Sequence, residues 1–197
     1  MSILVLTSDT LIGTAATGNI EYNGQFYGTD SNASRAQMQR ITQGTSVAST
    51  SGTSVDYTGI PAWVKRVTVI LRGVSMSGTA DVLVQLGTSG GIVSTGYVGA
   101  SSSILTTVAT TAYTTGFGIR SGSSSVGAAS IITGLMTIDN ISTNTWVESF
   151  VGTFSATGTG TSGGDIALGA VLDRVRITTT NGTDTFDAGS VNLLYEG

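Results

Sequence analysis

The sequence predicts an all-β protein, an antiparallel β-sandwich of jelly-roll type preceded by a small N-terminal β-hairpin unit. Three observations predict it. Short Val/Ile/Leu runs alternate with polar residues at a period of two, which puts each apolar set on one face of a pleated strand. Turn signals separate these runs by about ten residues, the spacing of a sandwich of about eight to ten strands. The 197 residues include 28 glycines and one proline, and only one stretch carries a helical pattern.

Taken in order, residues 1–42 read as a separate N-terminal docking unit. Residues 3–6 suit a strand, and residues 18–28 (GNIEYNGQFYG) form the clearest hairpin. Asn23-Gly24 suits a two-residue type I′ turn, which would pair Ile20 with Tyr27 across the strands. Residues 32–41 suit one short helix capped by Ser31 or Asn32. Residues 43–54 (QGTSVASTSGTS) are small and polar and read as a linker.

The sandwich is expected over residues 55–197, centred on residues 59–87. There Val67, Val69 and Leu71 alternate with Arg66, Thr68, Ile70 and Arg72. Val82, Val84 and Leu86 alternate in the same way with Asp81, Leu83 and Gln85, so the two runs read as a hairpin turning at Gly78. Pro61 cannot donate to a ladder and fits as a rigid lead-in. Further strands are expected at 92–98, 103–108, 130–138, 145–154, 174–179 and 190–195. Residues 116–128 and 158–164 read as flexible Gly/Ser-rich segments. In the 145–154 strand, Trp146, Glu148 and Phe150 share one face.

The absence of cysteine and histidine from the chain is chemically decisive. It excludes disulfides, thiolate or imidazole zinc sites and the Ser-His and Cys-His nucleophile pairs. Eight basic residues are scattered against twelve acidic ones, which argues against a nucleic-acid surface. No apolar run reaches the ~18 residues of a membrane span, and residues 2–6 lack the basic lead of a signal peptide. With 10% charged and 40% hydrophobic residues, much surface is expected to be buried between subunits.

Asp165, Asp173, Asp184 and Asp187 are the nearest approach to a catalytic carboxylate set, but beside glycine and threonine they read as turn-formers. A calcium held by Asp184 and Asp187 would lack EF-hand spacing, so no catalytic residue, metal or cofactor is expected. Arg174 and Arg176 share a strand face and read as ion-pair partners of Asp173, Glu148 or a neighbouring subunit. Tyr97, Tyr113, Phe117 and Arg120 fall in or beside Gly/Ser-rich loops. They are the candidate receptor contacts, since aromatic faces stack on sugar rings.

Two blocks resemble bacteriophage virion proteins of the tail-fibre kind. The hairpin GNIEYNGQFY at residues 18–27 resembles a short motif that recurs near the distal modules of tail-fibre chains. Residues 58–87 and 172–195 are similar to the C-terminal β domain of phage fibre and structural proteins. The resemblance implies a non-enzymatic virion protein made in the bacterial cytoplasm, assembled as a homotrimer and attached to other virion proteins. It implies a short tail fibre or tail-tip component that recognises a host surface glycan or protein. Ile20, Phe26 and Tyr27 of the hairpin would then be the virion-docking anchors. A fibre shaft of coiled coil would show heptads, and the sequence has none. A capsid decoration protein that cements the head is therefore the alternative expectation.

Overall fold

The computed structural model describes residues 17–23, 25–32, 34–120, 130–155 and 158–197. The strand expected at 3–6, Gly24 of the expected turn and residues 121–128 lie outside the described residues. The chain divides into two compact units, residues 1–40 and 41–197.

In the first unit, β1 (Ile20–Tyr22), β2 (Phe26–Thr29) and β3 (Arg35–Gln37) form an antiparallel sheet in that order. Tyr22 pairs with Phe26 and Ile20 with Gly28, not with Tyr27. Pairing Tyr22 with Phe26 rather than with Gln25 shifts every cross-strand partner by one residue. Ile20, Tyr22 and Phe26 consequently share a face, with the Tyr22 and Phe26 rings 5.1 Å apart. Glu21 lies on the other face, paired with Arg35 at 2.6 Å.

The helix expected at 32–41 does not form: residues 35–37 are β3, and residues 41–43 are strand in the second unit. The cause is local. The Asp30 carboxylate accepts hydrogen bonds from the backbone N–H groups of Asn32 and Ser34, both 2.9 Å long. This Asx-type turn reverses the chain after β2 and sets Arg35 opposite Thr29.

The second unit is an antiparallel sandwich, and no helix occurs among the described residues. The broad sheet has nine strands. Eight run in the order β11 (Val108–Tyr113), β10 (Val98–Ile104), β15 (Gly158–Ala167), β14 (Thr145–Phe154), β13 (Ile132–Ser142), β7 (Arg66–Met76), β17 (Phe186–Glu196) and β4 (Ile41–Gln43). The ninth, β5 (Val47–Ala48), also pairs with β17. The narrow sheet has the order β12 (Phe117–Gly118), β8 (Val82–Thr88), β16 (Arg174–Thr179) and β6 (Val55–Thr58), with β9 (Gly91–Ile92) on β8. The stretch at 43–54 read as a linker therefore holds strand residues laid along β17.

Nine and five strands exceed the eight to ten expected, because several turn-like stretches are strand. Residues 158–164 (GTGTSGG) belong to β15. The strand expected at 103–108 is instead the β10–β11 hairpin, closed by the Leu105 N–H on the Thr107 carbonyl. The expected central hairpin does not form either. β7 pairs with β13 and β17, whereas β8 pairs with β16, β12 and β9. The 77–81 connection crosses between the sheets and is held by Asp184, which accepts the Ala80 N–H at 2.9 Å. Gly78 lies where a Cβ would run into the Asp184 carboxylate.

The core lies between the sheets. Val67, Val69 and Leu71 from the broad sheet and Val82, Val84, Leu86, Val175 and Ile177 from the narrow one join one buried cluster. The Tyr57 hydroxyl of β6 donates to the Val191 carbonyl of β17 at 2.6 Å and ties one sheet to the other. Burial pushes that phenol up to about 12.

Glycines let two large rings lie against the broad sheet. Gly134, Gly152 and Gly160 occupy one row of adjacent strands. A Cβ at Gly134 would come 2.8 Å from the Phe150 ring, and one at Gly152 would come 2.8 Å from the Thr133 carbonyl. The Phe154 ring likewise covers Gly160. Because the core is close-packed, Gly152→Ala is expected to destabilise the protein by ~1–3 kcal/mol in chemical denaturation. Gly169→Ala, with nothing within 4 Å of the added carbon, is the matched control.

Candidate functional site

The structure places all four expected receptor residues inside the sandwich. Tyr97 and Phe117 are buried and meet edge to face, with ring centroids 5.0 Å apart. The Tyr97 hydroxyl accepts the Leu86 N–H at 2.6 Å and donates to the Val93 carbonyl at 3.1 Å. The Tyr113 hydroxyl donates to Asp81 Oδ2 at 2.7 Å and lies against the Arg120 carbonyl. Arg120, 1% exposed, meets Asp81 at 3.3 Å and donates to the Thr79 carbonyl at 3.0 Å. A side chain held this way cannot stack on a sugar: Arg120 and Tyr113 hold the 77–81 connection, and Tyr97 ties the 93–97 loop to β8. Loop position alone misled: Gly/Ser-rich flanks mark where the chain turns, not which side chains face water.

The expected docking anchors do not share a face. Ile20 and Phe26 are exposed on one side of the first unit's sheet, and Tyr27 stands half-buried on the other beside Glu21. The arginines expected to pair do so. Arg176 makes a two-point contact with Asp56 at 2.6 and 3.1 Å, and Arg174 meets Asp173 at 3.0 Å. Glu148 is not their partner. Two of the other aspartates act on backbone and hydroxyl groups: Asp184 fastens the 77–81 connection, and Asp187 accepts from the Ser75 hydroxyl. Among the described residues no group of three or more metal-ligating side chains occurs.

A cavity of about 60 Å³ lies between residues 61–65, the β13–β14 turn and residues 171–172. Its walls include Pro61, Lys65, Asn140 and Trp146. That volume holds a few waters rather than a sugar ring.

Glu148 is the most perturbed carboxyl. It points inward from β14 between Trp146 and Phe150, is 3% exposed, and accepts one hydrogen bond, from Ser162 at 3.1 Å. Burial pushes its pKa up from 4.5 to about 7, against the smaller lowering effect of the Ser162 hydroxyl.

The outer face of the broad sheet is the extended surface that sequence reasoning did not single out. Register places its side chains in four rows across β13, β14, β15, β10 and β11. One row is Thr133, Thr153, Thr159, Ile104 and Val108. The next is Leu135, Val151, Thr161, Ser102 and Thr110. The third, Thr137, Ser149, Gly163, Ala100 and Ala112, is smaller and forms a trough. The last is Asp139, Val147, Asp165 and Val98. Exposure of its large aliphatics runs from 38% at Val147 to 69% at Val108. Asp139 and Asp165 are the only charged side chains in these rows, and Asp139 is neutralised by Arg66 at 2.5 Å. The period of two was legible along these strands. Which set faces water was not, since on β13 and β14 both sets contain large apolar residues, such as Ile132 against Leu135 and Phe150 against Val151.

No family model matches the chain, and neither the curated proteins nor the solved structures contain a match to it.

Two outcomes follow from the buried charges. Asp81→Ala would strand the Arg120 guanidinium and is expected to cost ~3–5 kcal/mol in denaturation. For Glu148 the folded value lies above the unfolded one. Between about pH 4.5 and about pH 7 the folded chain keeps a proton that the unfolded chain has released. Stability should therefore fall as pH rises through that window, and Glu148→Gln should flatten the dependence in melting curves.

Proposed function

We propose that this chain is a non-enzymatic structural component of a bacteriophage particle, acting through surface-to-surface contact rather than through a pocket. The observation that carries the reading is the outer face of the broad sheet, whose five adjacent strands present hydroxyl and aliphatic groups with almost no charge. Large, charge-poor exposed faces are characteristic of protein–protein contact. The hairpin at residues 18–27 and the blocks at 58–87 and 172–195, which resemble phage fibre proteins, supply the virion context. A short fibre or tail-tip position is the leading placement, with the exposed Ile20 and Phe26 as anchors on the particle.

One observation favours a second placement, as a decoration protein on the head. Tyr97, Tyr113, Phe117 and Arg120 serve the interior, so those aromatic loops are not offered to a host receptor.

Electron microscopy of intact phage carrying a tag on this protein tests the proposal. Label at the tail supports the fibre placement and label over the head the cement placement. Particles without label, from cells that make the tagged protein, would overturn both. If the hairpin docks the protein, Ile20→Asp with Phe26→Asp should cut incorporation at least tenfold while leaving the melting of the sandwich unchanged.

A further inference from the structure

We infer that the outer face of the broad sheet is covered by a second copy of this chain, stacked face to face about a two-fold axis that lies across the strands at the level of Ser162. This rests on the contact reading above and names the partner and the geometry.

The rows themselves carry the argument. A two-fold axis across the strands lays each strand on its own equivalent, running the other way, and exchanges the first row with the fourth and the second with the third. The bulky Leu135 and Val151 then enter the trough that contains Ser149 and Gly163. Val98, 66% exposed, meets Ile104, 51% exposed. Asp165, the second charge in the rows, meets Thr159, whose hydroxyl can donate to it. Within these five strands like charges are not brought together, because the two aspartates sit in the same row and that row meets threonines. An isologous contact needs a patch complementary to itself under one rotation, and these rows meet that condition. Hydroxyl groups help, since each donates and accepts and can pair with its own kind.

Size is sufficient. Five strands at ~4.8 Å and four rows at ~6.7 Å give about 600 Å² per copy, or about 1,200 Å² for the pair, at the lower limit for a specific interface. The two outer faces would pack as sheets do in a sandwich, ~10 Å apart.

Sedimentation of the full chain over a wide concentration range tests this. The wild type is expected to pass from monomer to an assembly containing the dimer. Val151→Lys should weaken that step at least tenfold, and Val171→Lys, exposed but away from the rows, should leave it unchanged. Melting of each variant at monomeric concentration guards against misfolding, and Thr161→Lys replaces Val151→Lys if the latter melts early. A wild type that stays monomeric throughout, or lysine variants that associate as the wild type does, would overturn the inference. A monomer in solution that is nonetheless found on labelled particles defeats this inference and leaves the virion reading intact. A dimer absent from particles does the reverse.

Discussion

The packing of Phe150 and Phe154 against the glycine row of the broad sheet is the constraint on which the rest of the sandwich depends. Two phenyl rings lie where Gly134, Gly152 and Gly160 carry no side chain, and they fix β14 in register between β13 and β15. Register and sidedness are one variable in a strand, because a slip of one residue turns every side chain over. With Phe150 inward, Trp146 and Glu148 must also face inward, and Val147, Ser149 and Val151 must face out. The buried carboxyl and the exposed aliphatic rows are thus two consequences of the same packing.

Inside, polar groups serve as cross-links. Tyr57 joins β6 to β17, Tyr97 joins the 93–97 loop to β8, and Arg120 with Asp81 and Tyr113 closes the end of the narrow sheet. Such groups are costly to bury without partners, and each of these side chains finds one or more, with Arg120 Nη1 left over. The charged residues of the sandwich are largely occupied in this way or in pairs such as Arg176 with Asp56. What faces outward on β13, β14, β15, β10 and β11 is mostly hydroxyl and aliphatic. A surface of that kind offers contact area and hydrogen bonds but little means of moving a proton or stabilising a charge.

Much of this fold is legible in the sequence, and the failures have physical causes. Period-two runs located β7, β8, β13, β14, β16 and β17, since burying one face leaves a strong imprint at positions such as Val67, Val69 and Leu71. Partners were not legible. β7 and β8 look like a hairpin but enter different sheets, because the side chains of Asp184 and Arg120, over a hundred and about forty residues from Ala80, hold the crossing. Glycine misled at 158–164, where it marks a strand that rings must approach rather than a turn. The helix expected at 32–41 failed because Ser31 and Asn32, read as its caps, lie in an Asx turn held by Asp30, and a turn and a cap draw on the same residue types. The candidate receptor residues failed for a related reason: an aromatic near glycine can as easily close a core as face solvent.

The central claim is that the outer rows are a contact surface, and thiol labelling tests it directly, because the chain has no cysteine of its own. A single Thr161→Cys places a thiol in the middle of the rows on β15. Its reaction with a maleimide would be followed as protein concentration rises, with Val171→Cys as the exposed reference. The account predicts rapid labelling of both in dilute solution and selective protection of position 161 as the chain associates. Equal labelling of the two at every concentration would contradict it.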